Sequence, residues 1–143
     1  MFFAVQYSLG LMNRNLKRQI EEGAEELRRL QARVKETVKC RDQSPKHREE
    51  WSNASAEFRL SYSELAFPGG LLGAWDRMLA GDKTTIETAL CWLECRPYFF
   101  RSGYMYKDML RKLKRAPMGV AHSRRLADVV EAYESYRRKR RRT

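Results

Sequence analysis

Cys91 and Cys95 stand one helical turn apart, the spacing at which two thiolates on one helix face can share a metal ion. Structural zinc takes four tetrahedral ligands, and the remaining candidates, Cys40, His47 and His122, fall at no zinc-motif spacing. The pair is therefore read as small core residues, and neither metal nor other cofactor is expected. His47 and His122 would have to carry acid–base chemistry, and neither lies beside an Asp, Ser or Cys in a recognised catalytic arrangement. The acidic pairs Glu49 with Glu50 and Glu131 with Glu134 read as solvated helix faces. Pro68-Gly69-Gly70 lacks the Lys-Ser/Thr end of a phosphate loop. The expectation is a protein that binds and does not catalyse.

The chemistry with most residues behind it is anion binding. Residues 1–95 hold 14 Lys/Arg against 14 Asp/Glu, whereas residues 96–143 hold 15 against 4, so the whole net charge of +11 lies in the last third. Such a field attracts polyanions and says little about fold. Between Arg96 and Arg115, basic residues alternate with Tyr98, Phe99, Phe100, Tyr104 and Tyr106, a mixture that can neutralise phosphates and stack bases. Phe99 and Phe100, being adjacent large rings, are read first as inter-helix packing. The candidate polyanion-binding set is Arg101, Lys107, Arg111, Lys112, Lys114, Arg115, Arg124 and Arg125, with the terminal run Arg137, Arg138, Lys139, Arg140, Arg141 and Arg142. Arginine favours bidentate phosphate contact where lysine is a point charge. The terminal run also fits a nuclear import signal in a eukaryote, or a solubilising end.

These residues need a scaffold, and 143 residues suffice for one domain with a real core. With 43% apolar and 11% aromatic residues the chain is too rich to be disordered. Three cysteines without a secreted-type framework fit a reducing cytoplasm. The apolar start, Met1 to Met12, is interrupted by Gln6, Tyr7, Ser8 and Gly10; it reads as neither secretory signal nor membrane span, though it could serve as a membrane anchor beside the basic run.

Apolar spacing predicts an all-α fold. A first helix covers about Asn13 to Arg41, with Ile20, Leu27 and Val34 seven apart and Ala24, Leu30 and Val38 on the same stripe. Gly23 in its middle marks a bend or a close approach by another helix. Ser44 and Pro45 start a second helix, on which Trp51, Ala54, Phe58, Tyr62 and Leu65 follow steps of three and four until Pro68. The short link between the two predicts an antiparallel hairpin, with Trp51, Phe58, Tyr62 and Leu65 buried on the first helix's stripe. Shorter helices follow: Leu71 to Ala80 with Leu72, Trp75 and Leu79 inward; one capped by Asp82, carrying Ile86, Ala89, Leu90 and Leu93; one from near Ser102 with Tyr106, Met109, Leu110 and Leu113; and one with Leu126, Val129, Val130 and Tyr133. Residues 1–136 are expected to form a single helical domain, 1–67 as N-terminal segment and hairpin and 71–136 as short helices, with 137–143 a disordered basic tail.

The run from Trp92 through Arg96, Pro97, Tyr98, Phe99, Phe100 and Arg101 to Tyr104, followed by the amphipathic Lys107 to Arg115, resembles segments of bacterial proteins built from HEAT-like helical pairs. The similarity covers about residues 71–136, and the N-terminal hairpin lies outside it. The resemblance implies stacked helices whose curved surface binds proteins or, when basic, nucleic acid. Two functions are therefore expected: a nucleic-acid or polyanion binder using the basic face and tail, or an interaction scaffold, such as an immunity or assembly factor, whose partner packs on the hairpin or presents an acidic surface.

Overall fold

A computed structural model describes the backbone of residues 2–142 and the side chains of residues 13–142. The chain forms six helices, α1 (Phe2–Lys39), α2 (Pro45–Ala66), α3 (Ala74–Leu79), α4 (Lys83–Cys95), α5 (Ser102–Leu113) and α6 (Val120–Arg142), with no strand among the described residues. Ser44 caps α2 as its position predicts, its Oγ accepting from the His47 amide at 3.2 Å, with Pro45 in the first turn. His47 is absorbed in the same cap, its Nδ1 lying 2.6 Å from that hydroxyl.

The antiparallel hairpin of α1 and α2 is present, and Gly23 is the close approach. A Cβ built there would lie 2.2 Å from the carbonyl oxygen of Leu65. Ile20, Ala24, Leu27 and Leu30 are buried, and the stripe opens outward to half-buried Val34 and exposed Val38. On α2, Ala54 is buried, while Trp51, Phe58, Tyr62 and Leu65 are half-buried instead of enclosed. A two-helix ribbon covers each partner from one side only, so its distal end cannot be sealed. α1 also begins before Asn13, taking in residues 2–12; the anchor reading of Met1 to Met12 depends on side chains outside the described residues. No described helix is long and apolar enough to cross a membrane.

The core centres on α4, where every residue from Thr85 to Leu93 is buried because α1, α3, α5 and α6 all pack around it. A helix enclosed on all sides no longer needs one apolar stripe. Trp92 lies fully buried in its last turn and its indole Nε1 donates to the Ala66 carbonyl at 2.9 Å, which ties α4 to the end of α2. Around it, Phe99 and Tyr106 contact the indole at 6.2 and 6.4 Å between centroids.

Two expectations are corrected. α3 starts at Ala74, so its inward face is Ala74 and Met78, while Leu72 is 82% exposed and Leu79 is exposed too. The delay arises because Arg77 holds the preceding turn, donating to the Gly70 and Leu72 carbonyls at 3.1 and 3.3 Å. The basic run, expected as disordered, is helical through Arg142 as the end of α6. Arginine and lysine are good helix formers, and cations at a helix C-terminus complement its dipole. Rings hold the segment as well: Arg96 stacks 4.2 Å from the Tyr136 centroid, and Arg137 lies 5.8 Å from that of Tyr133.

Candidate anion-binding groove

The link between α4 and α5 is short and tightly held. Arg96 closes α4 in the left-handed conformation (φ 50°), its N–H donating to the Trp92 carbonyl at 2.9 Å, a position at which glycine is usual. Arg101 opens α5 with φ 68°, also left-handed, and no side chain caps that helix. Each such residue costs about 1–2 kcal/mol relative to an ordinary conformation. Between the two, Phe99 and Ser102 exchange bonds: the Phe99 amide donates to Ser102 Oγ and the Ser102 amide to the Phe99 carbonyl. The hairpin then fixes the outer carbonyls, Arg28 donating to Tyr98 O and Tyr62 Oη to Phe100 O, each at 2.7 Å.

This link floors a groove of about 1020 Å³. One wall is α1, through Arg28, Gln31 and Lys35; another is the start of α5, through Arg101 to Lys107; the third is the end of α6, through Tyr133, Tyr136, Arg137, Arg140 and Arg141. Eight cations, Arg28, Lys35, Arg96, Arg101, Lys107, Arg137, Arg140 and Arg141, line it together with seven aromatic rings, and there is no carboxylate among the described lining residues. Like charges gathered on one concavity repel one another, with screening over a Debye length of about 8 Å. Arg96 is sandwiched between Tyr136 and Tyr106 (5.1 Å from the latter), which ties the end of α6 to the link. Burial raises the Tyr106 and Tyr62 hydroxyl pKa values, and the nearby Arg96 and Arg101 charges oppose that rise. Both phenols stay protonated at neutral pH.

Of the cations expected to bind, Arg101, Lys107, Arg137, Arg140 and Arg141 are brought together here. Arg111, Lys112, Lys114, Arg115, Arg124, Arg138, Lys139 and Arg142 lie outside the groove lining, and Arg111 pairs with Asp108 at 2.5 Å. Arg125 is removed from the set. It sits against α4, bonded to Glu87 and to Glu94 at 2.7 Å, with Cys91 Sγ 3.7 Å away. Its burial disfavours the charge, but the Glu94 hydrogen bond and the two carboxylates outweigh that and push its pKa up. Arg28 and Lys35 were not in the sequence-derived set, and Arg96 was read only as the start of the basic and aromatic segment.

The reactive-looking groups beside Arg125 have ordinary explanations. Cys91 is fully buried, and burial raises its thiol pKa despite the arginine, the reverse of an activated nucleophile. His122 Nε2 lies 3.4 Å from the same Glu87 carboxylate at the α4–α6 contact. Among the described residues no group of three His, Cys, Asp or Glu is arranged to hold a metal. Phe99 is buried as expected of a packing residue, whereas Phe100 is 41% exposed with its edge against Phe58. No family model, curated protein or solved structure matches this chain.

Proposed function

We propose that this protein is a non-catalytic binder of polyanions, with nucleic acid as the natural class. The observation that supports it is the convergence of cations from α1, the α4–α5 link, α5 and α6 on one concavity without a lining carboxylate. None is needed to fill the core, and a bound anion relieves their mutual repulsion. Two of them, Arg96 and Arg101, keep a left-handed backbone where glycine would be cheaper, so the side chain is what the position retains. The cations of α6 that face away from the groove extend the positive field and speed encounter.

Fluorescence anisotropy with labelled nucleic acid over a salt series tests this reading. Affinity should fall log-linearly with salt, and for a duplex the slope is about 0.9 per phosphate neutralised. Truncation after Tyr136 removes three lining cations, Arg137, Arg140 and Arg141, and should flatten the slope while leaving the core intact. Absence of micromolar binding at about 0.15 M salt, the range in which even non-specific binders of nucleic acid operate, overturns the proposal and favours a protein partner.

A further inference from the structure

Resting on the polyanion reading, we infer that the groove takes single-stranded nucleic acid, with Tyr98 and Tyr104 as stacking platforms for its bases. Both rings line the groove, yet they are 78% and 74% exposed. Neither exposed ring helps close the core, which is filled at this point by Phe99, Tyr106 and Trp92. Exposed rings beside cations are superfluous for holding phosphates alone. They are what unpaired bases require, because every base offers a π-face and a single strand leaves that face available.

Shape argues in the same direction. Sequence in a duplex is reached by a protruding helix or ribbon that enters its grooves, whereas this site is concave. Its volume, about 1020 Å³, matches the upper end of small-molecule pockets, roughly 300–1,000 Å³. That space suits a short run of nucleotides inside the groove. The backbone that carries the rings is held in place: Arg28 bonds the Tyr98 carbonyl from α1, and Tyr104 belongs to the first turn of α5, so little backbone order need be gained on binding.

The test compares labelled oligothymidylate and oligouridylate of about a dozen nucleotides, a duplex of equal length, and heparin, against the wild type and the Tyr98→Ala and Tyr104→Ala variants. The expected result is single-strand affinity at least tenfold above duplex affinity, a loss of about tenfold for each alanine variant, and near-wild-type affinity in Tyr98→Phe and Tyr104→Phe. Heparin affinity should not change in any of them, which also reports an intact fold. Equal binding of single strand and duplex, or alanine variants that retain single-strand affinity, overturns the stacking inference while leaving the polyanion reading in place. Failure of every polyanion to bind overturns both. Comparing the two oligonucleotides reads out whether the site distinguishes RNA from DNA.

Discussion

Replacing Gly23 by alanine is the sharpest test of how the scaffold is built, because two effects of known size oppose each other there. In an open helix the change is stabilising by about 1 kcal/mol. Here the new methyl would lie 2.2 Å from the Leu65 carbonyl oxygen and 3.2 Å from its carbon. A carbon–oxygen contact needs about 3.3 Å, so α1 and α2 must part locally by about 1 Å. The obstacle is helix backbone, which has no rotamer through which to escape. Overpacking costs about 1–3 kcal/mol, and a rigid obstacle places this site at the upper end. The net expectation is a loss of about 2 kcal/mol, or a fall in melting temperature of roughly 6–8 °C for a domain of this size. Urea and thermal unfolding followed by far-ultraviolet circular dichroism measure it directly. Gly103→Ala is the internal control: nothing lies within 4 Å of where its new methyl would sit, so it should be neutral or slightly stabilising. A Gly23→Ala variant as stable as wild type would refute the close packing of the hairpin.

Arg125→Ala should cost about 3 kcal/mol, the lower end for breaking a buried pair, since it takes the arginine from the buried Glu87 carboxylate and leaves only His122 beside it; its exposed neighbour Arg124→Ala should stay within about 0.5 kcal/mol, and equal effects in urea melts would count against the cluster. Arg101→Gly relieves left-handed strain but adds freedom to the unfolded chain, so stability should change by less than about 0.5 kcal/mol while oligonucleotide affinity drops several-fold; a large destabilisation would make that arginine structural. The Cys95 thiol is pushed up to about 11 from 9.0, first by burial and then by the Glu21 charge. Between those pH values the unfolded thiol has lost a proton that the folded one keeps, so stability declines as pH rises. Melting midpoints across this interval should fall less steeply in Cys95→Ala, and an unchanged slope would refute the assignment.

The hairpin and the apolar faces of α4 and α5 were legible because periodic stripes and the Ser44–Pro45 start signal are local properties. Phe67 and Met78, both fully buried, belong to no long stripe, and the α3 register was lost to a turn held by Arg77. Arg125 looked like one more surface cation. Only the fold places Glu87 and Glu94 from α4 against it. The aromatic and basic segment from Arg96 to Arg115 was legible as a candidate, and its part up to Lys107 lines the groove, but the rest of the lining was not legible. Arg28 and Lys35 lie within residues 1–95, where basic and acidic residues are equal in number, and nothing in their spacing signals that α1 borders a segment some seventy residues later. The helical state of 137–142 was missed because like charges suggest repulsion, while helix propensity, dipole complementarity and the ring contacts of Tyr133 and Tyr136 act together to oppose it.

A groove walled by the first and last of the six helices has a consequence in time. Chains are synthesised from the N-terminus at roughly 5–20 residues per second, so α1, α2 and α4 can associate while α6 has yet to be made. Until α6 docks through Arg125 and its end is clamped by Arg96, the floor and two walls exist but three of the eight lining cations do not. On the proposed polyanion reading, the nascent chain would hold RNA more weakly than the finished protein, because the cations of the last helix join the groove only at the end of folding.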